Sequence, residues 1–154
     1  MDLAATLGSR LLVVYDGHCG LCNRTVRWLL ARDRHDRLRF APSHSPAVAA
    51  LLARHGFTPD ASPNGPSSSG PGTILVFRAA ATPAEQLFTR STAVAVVLAE
   101  LPRPWPFAAR LLRLVPRPLR DLAYRLIARW RYRIWGRLSA CPLPAPGEQS
   151  RFFL

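Results

Sequence analysis

The sequence predicts an α/β domain with a helical C-terminal extension. A buried strand at 11–15 passes through a glycine turn into an amphipathic helix with two cysteines, and a second strand follows at 38–41. Further along, a hairpin at 73–89 precedes another amphipathic helix. We therefore place the α/β core at 11–101 and the helical extension with a proline-rich tail, packed on that core, at 102–154.

The first strand and helix are marked by a change in hydrophobic period. Leu11–Tyr15 is an uninterrupted apolar run, which is typical of a buried strand, and Asp16-Gly17 is a turn signal. From Cys22 onward, apolar residues recur at helical spacing while arginines occupy the other faces. We expect a helix from Cys19 to about Arg32 that has both cysteines in its first turn.

The next segments complete a strand–helix–strand unit and add a third helix. Residues 38–41 alternate in polarity and end at Pro42, which predicts a strand parallel to the first one. Ser45 followed by Pro46 is the pattern of a helix N-cap with proline at the first helical position. Residues 56–72 are rich in Pro, Ser and Gly and are expected to form a flexible surface loop.

A hairpin and a further helix follow this loop. Residues 73–77 form a strong strand pattern, residues 86–89 a weaker one, and Pro83 lies in the turn between them. Ser91 is expected to cap a helix that ends at Leu101. The resulting order, β-α-β-α-β-β-α, is that of the thioredoxin-like fold, which has its redox site where the first strand meets the first helix. The two cysteines of this chain lie at that junction.

The extension contains two further amphipathic patterns. The first covers 107–115, and the second, 119–138, has an apolar stripe over 119–134 with arginines on the remaining surface. Because so wide a stripe is unfavourable in water, we expect it to pack against the core, with Leu126 buried and the arginines outward. The segment 141–154 is a proline-rich tail.

Composition favours a folded, strongly basic protein. The chain has 154 residues, is 49% hydrophobic and has a net charge of +12, so it can bury a core and is not a disordered sequence. All of its basic residues are arginine. Such a charge suits anionic membranes, nucleic acid or acidic partners. Peripheral contact with an anionic membrane is favoured over nucleic acid, because Trp and Leu accompany the arginines and no nucleic-acid-binding motif is present.

The cysteine count and the absence of a signal-peptide pattern indicate a reducing compartment. Three cysteines are too few, and odd in number, for a disulfide scaffold. We expect a cytoplasmic protein, and the alternative is a protein attached to the periphery of the membrane. In the cytoplasm a Cys-x-x-Cys pair is usually catalytic or metal-binding.

The position of the two cysteines predicts thiol chemistry. The first turn of a helix has unpaired N–H groups and the positive end of the helix dipole, which together stabilise a thiolate. We expect Cys19 to be the exposed attacking thiolate and Cys22, one turn further along, to be its less accessible partner. The pair can cycle between dithiol and disulfide. We assign no cofactor and no metal.

Neighbouring side chains allow alternative interpretations. Asp16 either stabilises the turn or accepts the proton of Cys22. His18 either modulates the attacking thiolate when protonated or is an exposed loop residue. The cysteine pair could also be half of a zinc site, whose further ligands would be His18, His44 or Cys141. Cys141 is otherwise expected to take no part in the redox chemistry.

The cysteine motif also resembles that of a known family. The Asp-x-x-Cys-x-x-Cys pattern at 16–22 is similar to the signature of the DCC family, whose members are predicted thiol-disulfide oxidoreductases of thioredoxin-like fold. The similarity continues in five further places: 38–42, 89–94, 116–121, Tyr124 and 128–133. The resemblance implies a redox pair at Cys19 and Cys22 with Asp16 beside it, and a disulfide or dithiol substrate of unspecified identity.

One feature departs from ordinary thioredoxins, which place a cis-proline immediately before the third strand. Here Pro71 is followed by Gly72 before Thr73, so the proline is displaced.

We expect dithiol–disulfide exchange in which Cys19 attacks, a mixed disulfide forms and Cys22 resolves it. The alternative function is a non-catalytic module that binds zinc or an anionic membrane surface.

Overall fold

Helices and strands follow one another along the chain in the predicted order. The computed structural model describes residues 3–57 and 73–154. The strands are β1 (Leu11–Tyr15), β2 (Leu38–Pro42), β3 (Leu75–Arg78) and β4 (Gln86–Thr89). The helices are α1 (Leu3–Leu7), α2 (Gly20–Leu30), α3 (Pro46–Arg54), α4 (Arg90–Glu100), α5 (Trp105–Leu114) and α6 (Arg117–Trp135). The predicted thioredoxin-like α/β fold is confirmed, with α1 as an unpredicted addition.

The described strands form one mixed sheet in the order β2-β1-β3-β4. β1 runs parallel to β2, with Leu11 opposite Leu38, and antiparallel to β3. β3 pairs antiparallel with β4, as the predicted hairpin requires. All residues of β1 and β2 are buried, so helices cover both faces of the sheet here. This explains why β1 is a continuous apolar run rather than an alternating one.

Each face of the sheet has its own hydrophobic core. Neighbouring strand residues point to opposite faces, so Val13 and Val14 belong to different clusters. Val13 packs with Val26 of α2 and Val97 of α4, whereas Val14 packs with residues of α1 and α3, including Leu52. The α2 and α4 side is the one on which the C-terminal extension lies, because α6 contacts both helices.

Of the two predicted helix caps, one is confirmed and the other is wrong. The Ser45 cap is confirmed, since its Oγ accepts a hydrogen bond from Ala47 N at 3.2 Å. The Ser91 cap is wrong: α4 begins at Arg90 with Thr89 at the N-cap, two residues earlier than predicted. The buried Ser91 hydroxyl instead donates to the carboxylate of Asp121 in α6. Capping rules consider local sequence, whereas this partner lies 30 positions away.

The predicted loop at 56–72 lies almost entirely outside the described residues, and so does Pro71. Before that segment, α3 ends at Arg54 and Gly56 adopts a φ of +75°, a left-handed conformation that favours glycine.

Helix α6 packs on the core with a different face from the predicted one. The apolar side chains expected to be buried are exposed, with Leu126 at 52%, and the buried residue of α6 is Arg131. We call the exposed set the outer stripe; it comprises Leu119, Leu122, Leu126, Ile127, Trp130 and Ile134. The prediction that this stripe packs against the core is therefore wrong.

Polar contacts hold the inner face of α6. Asp121 accepts from Ser91, the Tyr124 hydroxyl accepts from the Ile74 amide at 2.9 Å, and Arg131 pairs with the carboxylate of Asp16. Helical periodicity identifies an apolar face but not the element that would cover it. Here specific hydrogen bonds determine the rotation of the helix.

No helix in the described ranges combines the length and the hydropathy needed to cross a bilayer.

The C-terminal tail returns to the sheet. After a short 3-10 turn at Gln149–Arg151, the Phe153 amide donates to the Phe40 carbonyl at 2.9 Å, and the Phe153 side chain is buried. Arg151 pairs with the buried Asp33 carboxylate at 3.4 Å. The tail thus lies along the outer edge of β2.

Candidate active site

The two cysteines lie at the junction of β1 and α2. Cys19 is the N-cap residue of α2, in an extended backbone conformation, and the helix begins at Gly20. The Cys19 sulfur accepts a hydrogen bond from the Cys22 amide at 3.3 Å. A sulfur in this position meets an otherwise unpaired N–H group at the positive end of the helix dipole, so its thiolate form is stabilised.

The two thiols have opposite protonation preferences. Hydrogen bonds from the Cys22 side chain and amide, together with the charge of Arg131, outweigh burial and lower the pKa of Cys19 to about 6. The hydrogen bond to Cys19, burial and the negative charge on that sulfur raise the pKa of Cys22. At neutral pH Cys19 therefore carries the thiolate and Cys22 keeps its proton.

The accessibility of the two cysteines is the reverse of the expected one. Cys19 has 0% of its surface exposed, whereas Cys22 is half-buried. The segment directly after α6, residues 136–138, lies over Cys19, and we call it the strap. Arg137 of the strap forms an isolated antiparallel bridge with Cys19. The prediction of an exposed Cys19 is wrong because this cover comes from the far end of the chain.

Two backbone hydrogen bonds hold the strap. Gly20 N donates to Gly136 O at 3.3 Å, and Leu138 N donates to His18 O at 2.8 Å. Glycine is required at position 20, since a Cβ there would lie 2.3 Å from the carbonyl oxygen of Trp135. The second residue of the Cys-x-x-Cys motif therefore permits the close approach of the chain that covers the first.

Asp16 lies at the centre of a polar cluster beneath α6. Its Oδ1 accepts from the His18 amide at 3.0 Å, and its Oδ2 accepts from Arg131 Nη2 at 3.2 Å and from the Tyr132 hydroxyl. The Asp16 and Arg131 side chains are only 13% and 8% exposed, so solvent screens their attraction little. Burial and the hydrogen bond to Asp16 raise the pKa of Tyr132 to about 12. Both carboxylate oxygens thus have partners.

His18 contacts the strap rather than the solvent. The residue is half-buried, and its Nδ1 lies 3.3 Å from the carbonyl oxygen of Leu138. Its ring lies 5.3 Å from that of His44, whose pKa is lowered by burial and by His18. The interpretation of His18 as an exposed loop residue is therefore wrong.

Cys141 lies beside Tyr15, with 3.8 Å between its sulfur and the tyrosine hydroxyl. Burial raises the pKa of both groups. The side chains of Cys141 and His44 both approach Gly17, where an added Cβ would meet them at 2.9 and 2.8 Å. Over residues 3–57 and 73–154, no three His, Cys, Asp or Glu side chains are grouped so that they could hold a metal ion.

An apolar cavity of about 130 Å³ adjoins Cys22. Its walls come from β1, α2, α4 and α6 and include seven branched aliphatic side chains: Val13, Leu21, Val26, Leu29, Ile74, Val94 and Ile127. Asp16 and Arg131 also line it. A cavity of roughly 150 Å³ with such a lining admits a benzene-sized group. The space beside the accessible thiol can therefore take an apolar group of about that size.

Sequence analysis missed three parts of this site: Arg131, Tyr132 and the strap. Arg131 and Tyr132 lie in a segment that carries the family resemblance, yet their contacts with Asp16 were not predicted. A signal was present, because Asp121, Tyr124 and Arg131 follow one another at helical spacing on one face of α6. The wider apolar stripe on the opposite face obscured it.

Comparison with known proteins finds a family model and related proteins that match this chain. The family model for DCC1-like thiol-disulfide oxidoreductases matches residues 13–137. Uncharacterized protein YuxK of Bacillus subtilis (strain 168) is 31% identical over 141 residues, which are 92% of this chain and 92% of that protein. DCC family protein At1g52590, chloroplastic, of Arabidopsis thaliana is 30% identical over 134 residues, 87% of this chain and 70% of that protein. No solved structure matches the chain.

Proposed function

The chain belongs to the DCC1-like thiol-disulfide oxidoreductase family, and from that premise we propose that Cys19 and Cys22 exchange their dithiol for the disulfide of a substrate. One observation carries the assignment of roles: the Cys19 sulfur lies at the N-cap of α2 and accepts a hydrogen bond from the Cys22 amide at 3.3 Å. The pKa of Cys19 is lowered to about 6 while that of its neighbour Cys22 is raised. A thiolate beside a protonated thiol is the arrangement that a nucleophile and its resolving partner need.

The exchange proceeds in two steps. The Cys19 thiolate attacks one sulfur of the substrate disulfide, which forms a mixed disulfide and releases the other sulfur as a thiolate. Cys22 then loses its proton to solvent or to the released thiolate and attacks the Cys19 sulfur. This closes the Cys19–Cys22 disulfide and releases the second substrate thiolate. The substrate gains two electrons and the protein loses two; a dithiol reductant reverses the change in the protein.

The strap opens before the first step. A substrate disulfide cannot reach Cys19 while residues 136–138 cover it, so the two hydrogen bonds to Gly20 and His18 must break. Gly136 has a φ of +73° and is a glycine at the point where the strap leaves α6. We assign it as the hinge, because glycine allows the chain to change direction there at low cost.

Asp16 and Arg131 act as positioning residues in this proposal. Arg131 lowers the pKa of Cys19, and Asp16 fixes Arg131 by accepting its hydrogen bond at 3.2 Å. Because both oxygens of Asp16 are occupied, this role is favoured over that of proton acceptor for Cys22. His18 contributes by holding the strap through its carbonyl and its ring.

The cavity beside Cys22 supports a preference among substrates. Its walls are mostly aliphatic, so a disulfide flanked by an apolar side chain gains from burying that group there. A disulfide between small polar thiols lacks this contribution. We therefore propose peptide or protein disulfides with an apolar neighbour as the substrate class.

Trapping of the mixed disulfide tests the proposal. A Cys22→Ser variant, with Cys141→Ser to remove the third thiol, is reacted in its reduced form with a disulfide-linked peptide that has leucine beside the cystine. Intact and peptide mass spectrometry should locate a stable adduct on Cys19. The matched control carries Cys19→Ser and Cys141→Ser and should form the adduct much more slowly. An adduct that forms equally fast on Cys22 in the control would overturn the roles given to the two cysteines.

A further inference from the structure

The exposed apolar surface of residues 3–57 and 73–154 is concentrated in one region. Of the twelve large apolar side chains that are exposed among the described residues, ten lie on α5, on α6 or at Val115 between them. They are the six of the outer stripe together with Val115 and, on α5, Phe107, Leu111 and Leu114. The remaining two, Leu143 and Leu154, lie in the tail. Clustering of this kind marks an interaction surface.

Contacts on the opposite side of α6 turn the outer stripe away from the core. Ile127 lies at the margin of the stripe, because it is 53% exposed and also lines the cavity beside Cys22. Ser91 holds Asp121, Ile74 N donates to Tyr124, and Asp16 holds the buried Arg131. Rotating the helix to bury the stripe would break all three interactions and expose the arginine partner of Asp16. These polar contacts of α6 therefore keep the stripe exposed.

The charge around this surface has one sign. Residues 102–141 contain ten arginines and a single acidic residue, Asp121, so they carry nine of the twelve net positive charges. Asp121 faces inward and is hydrogen-bonded to Ser91. On the outer side, Arg129 and Arg133 are exposed beside the stripe, and the Arg133 guanidinium lies 5.5 Å from the ring centre of Trp130.

We propose that the outer stripe of α6, together with the exposed face of α5, docks on the surface of an anionic lipid bilayer. Leucine, isoleucine and tryptophan side chains enter the boundary between headgroups and acyl chains, while the flanking arginines contact lipid phosphates. A second copy of this chain is a poor occupant, since it would bring two strongly positive surfaces together. Nucleic acid would satisfy the arginines but would leave the apolar stripe without a partner.

Docking in this way places the redox pair close to the membrane. The inner face of α6 carries Arg131, which contacts Asp16 beside the two cysteines. The pair therefore lies about one helix diameter, roughly 10 Å, from the lipid. The strap that covers Cys19 is continuous with the C-terminal end of the same helix.

Vesicle flotation of the reduced full-length chain tests the proposal. One set of vesicles contains phosphatidylcholine alone, and the other contains phosphatidylcholine mixed with phosphatidylglycerol. We expect binding to the mixed vesicles that weakens as salt is raised, and much weaker binding to the neutral ones. Replacing both arginines in Arg129→Gln/Arg133→Gln should weaken binding about 25-fold, at roughly fivefold for each charge.

A second pair of variants separates apolar insertion from charge. Leu122→Gln/Leu126→Gln should weaken binding at least tenfold, because two side chains no longer enter the bilayer. The matched controls are Leu143→Gln and Arg24→Gln, which change exposed residues of the tail and of α2 and should bind as the wild type does. Circular dichroism should show that every variant is folded.

Four results would overturn the proposal. The first is equal binding to neutral and anionic vesicles, and the second is binding unchanged by both double variants. The third is a concentration-dependent dimer in sedimentation velocity that the Leu122→Gln/Leu126→Gln variant abolishes, which would assign the stripe to a second copy of the chain. Tighter binding to a DNA duplex than to anionic vesicles would likewise reassign the surface.

Discussion

Arg131→Met tests whether the buried pair under α6 supports both folding and thiol chemistry. Methionine keeps an unbranched stem of similar length and removes the guanidinium. The Asp16 carboxylate, 13% exposed, then loses a charged partner at 3.2 Å and keeps two neutral donors, the His18 amide and the Tyr132 hydroxyl. Breaking a buried pair in this way costs about 3–5 kcal/mol. We expect a loss of that size in the unfolding free energy from urea denaturation.

The same change should destabilise the Cys19 thiolate and so raise the pKa of Cys19. Arg131 lowers the pKa of Cys19 and Asp16 raises it, so the variant keeps the unfavourable charge and loses the favourable one. The pH midpoint of Cys19 alkylation by iodoacetamide, followed by mass spectrometry, should lie near 6 in the wild type and higher in the variant.

The sign of the linked stability follows from the lowered pKa of Cys19. A group whose pKa is lower in the folded state contributes stability that is present above its unfolded pKa and lost as the pH falls through its folded pKa. Reduced wild type should therefore gain stability over Cys19→Ser between about pH 6 and pH 9, and Arg131→Met should gain less.

Two controls decide what causes these effects. Arg129→Met removes an exposed arginine of the same helix and should change neither the unfolding free energy nor the alkylation midpoint by much. The double variant Asp16→Asn/Arg131→Met leaves no unpaired carboxylate, so it should recover part of the lost stability. An unshifted Cys19 midpoint in Arg131→Met, despite the loss of stability, would refute the electrostatic role of the arginine.

Two other predictions concern the strap and the outer stripe. Leu138→Pro removes the amide that donates to His18 O, so Cys19 in the folded protein should alkylate faster than in Leu138→Ala, which keeps that donor; equal rates would show that the strap does not limit access. Leu126→Ala should cost less than about 0.5 kcal/mol in urea unfolding because Leu126 is exposed, whereas Leu52→Ala in the core should cost about 2–5 kcal/mol. A comparable loss at both positions would mean that the stripe is buried.

The fold of the core could be predicted because its elements depend on local patterns. The apolar run of β1 matches the observed strand Leu11–Tyr15, and β4 begins and ends where its weaker pattern does. Ser45 and Pro46 start α3 through contacts made within a few residues. Such signals arise from backbone geometry and side-chain periodicity, which neighbouring residues determine.

Of the candidate site, only the cysteine pair and its position could be predicted from the sequence. The spacing of Cys19 and Cys22 after a strand and a turn was sufficient to place both sulfurs at the start of α2 and to identify the family. It was not sufficient to show which thiol is accessible. That property depends on the strap, which reaches Cys19 from the other end of the chain.

The sequence by itself determined the α/β order, the position of the cysteine pair and the amphipathic character of α6. Tertiary structure decided which face of α6 is buried, because that choice depends on Asp16 and Arg131, which lie 115 positions apart. Apolar periodicity shows only that one face differs from the other. An ion pair and several directional hydrogen bonds outweigh the burial of a leucine stripe here, since their partners lie in fixed places on the core and would be left buried and unpaired if the helix turned.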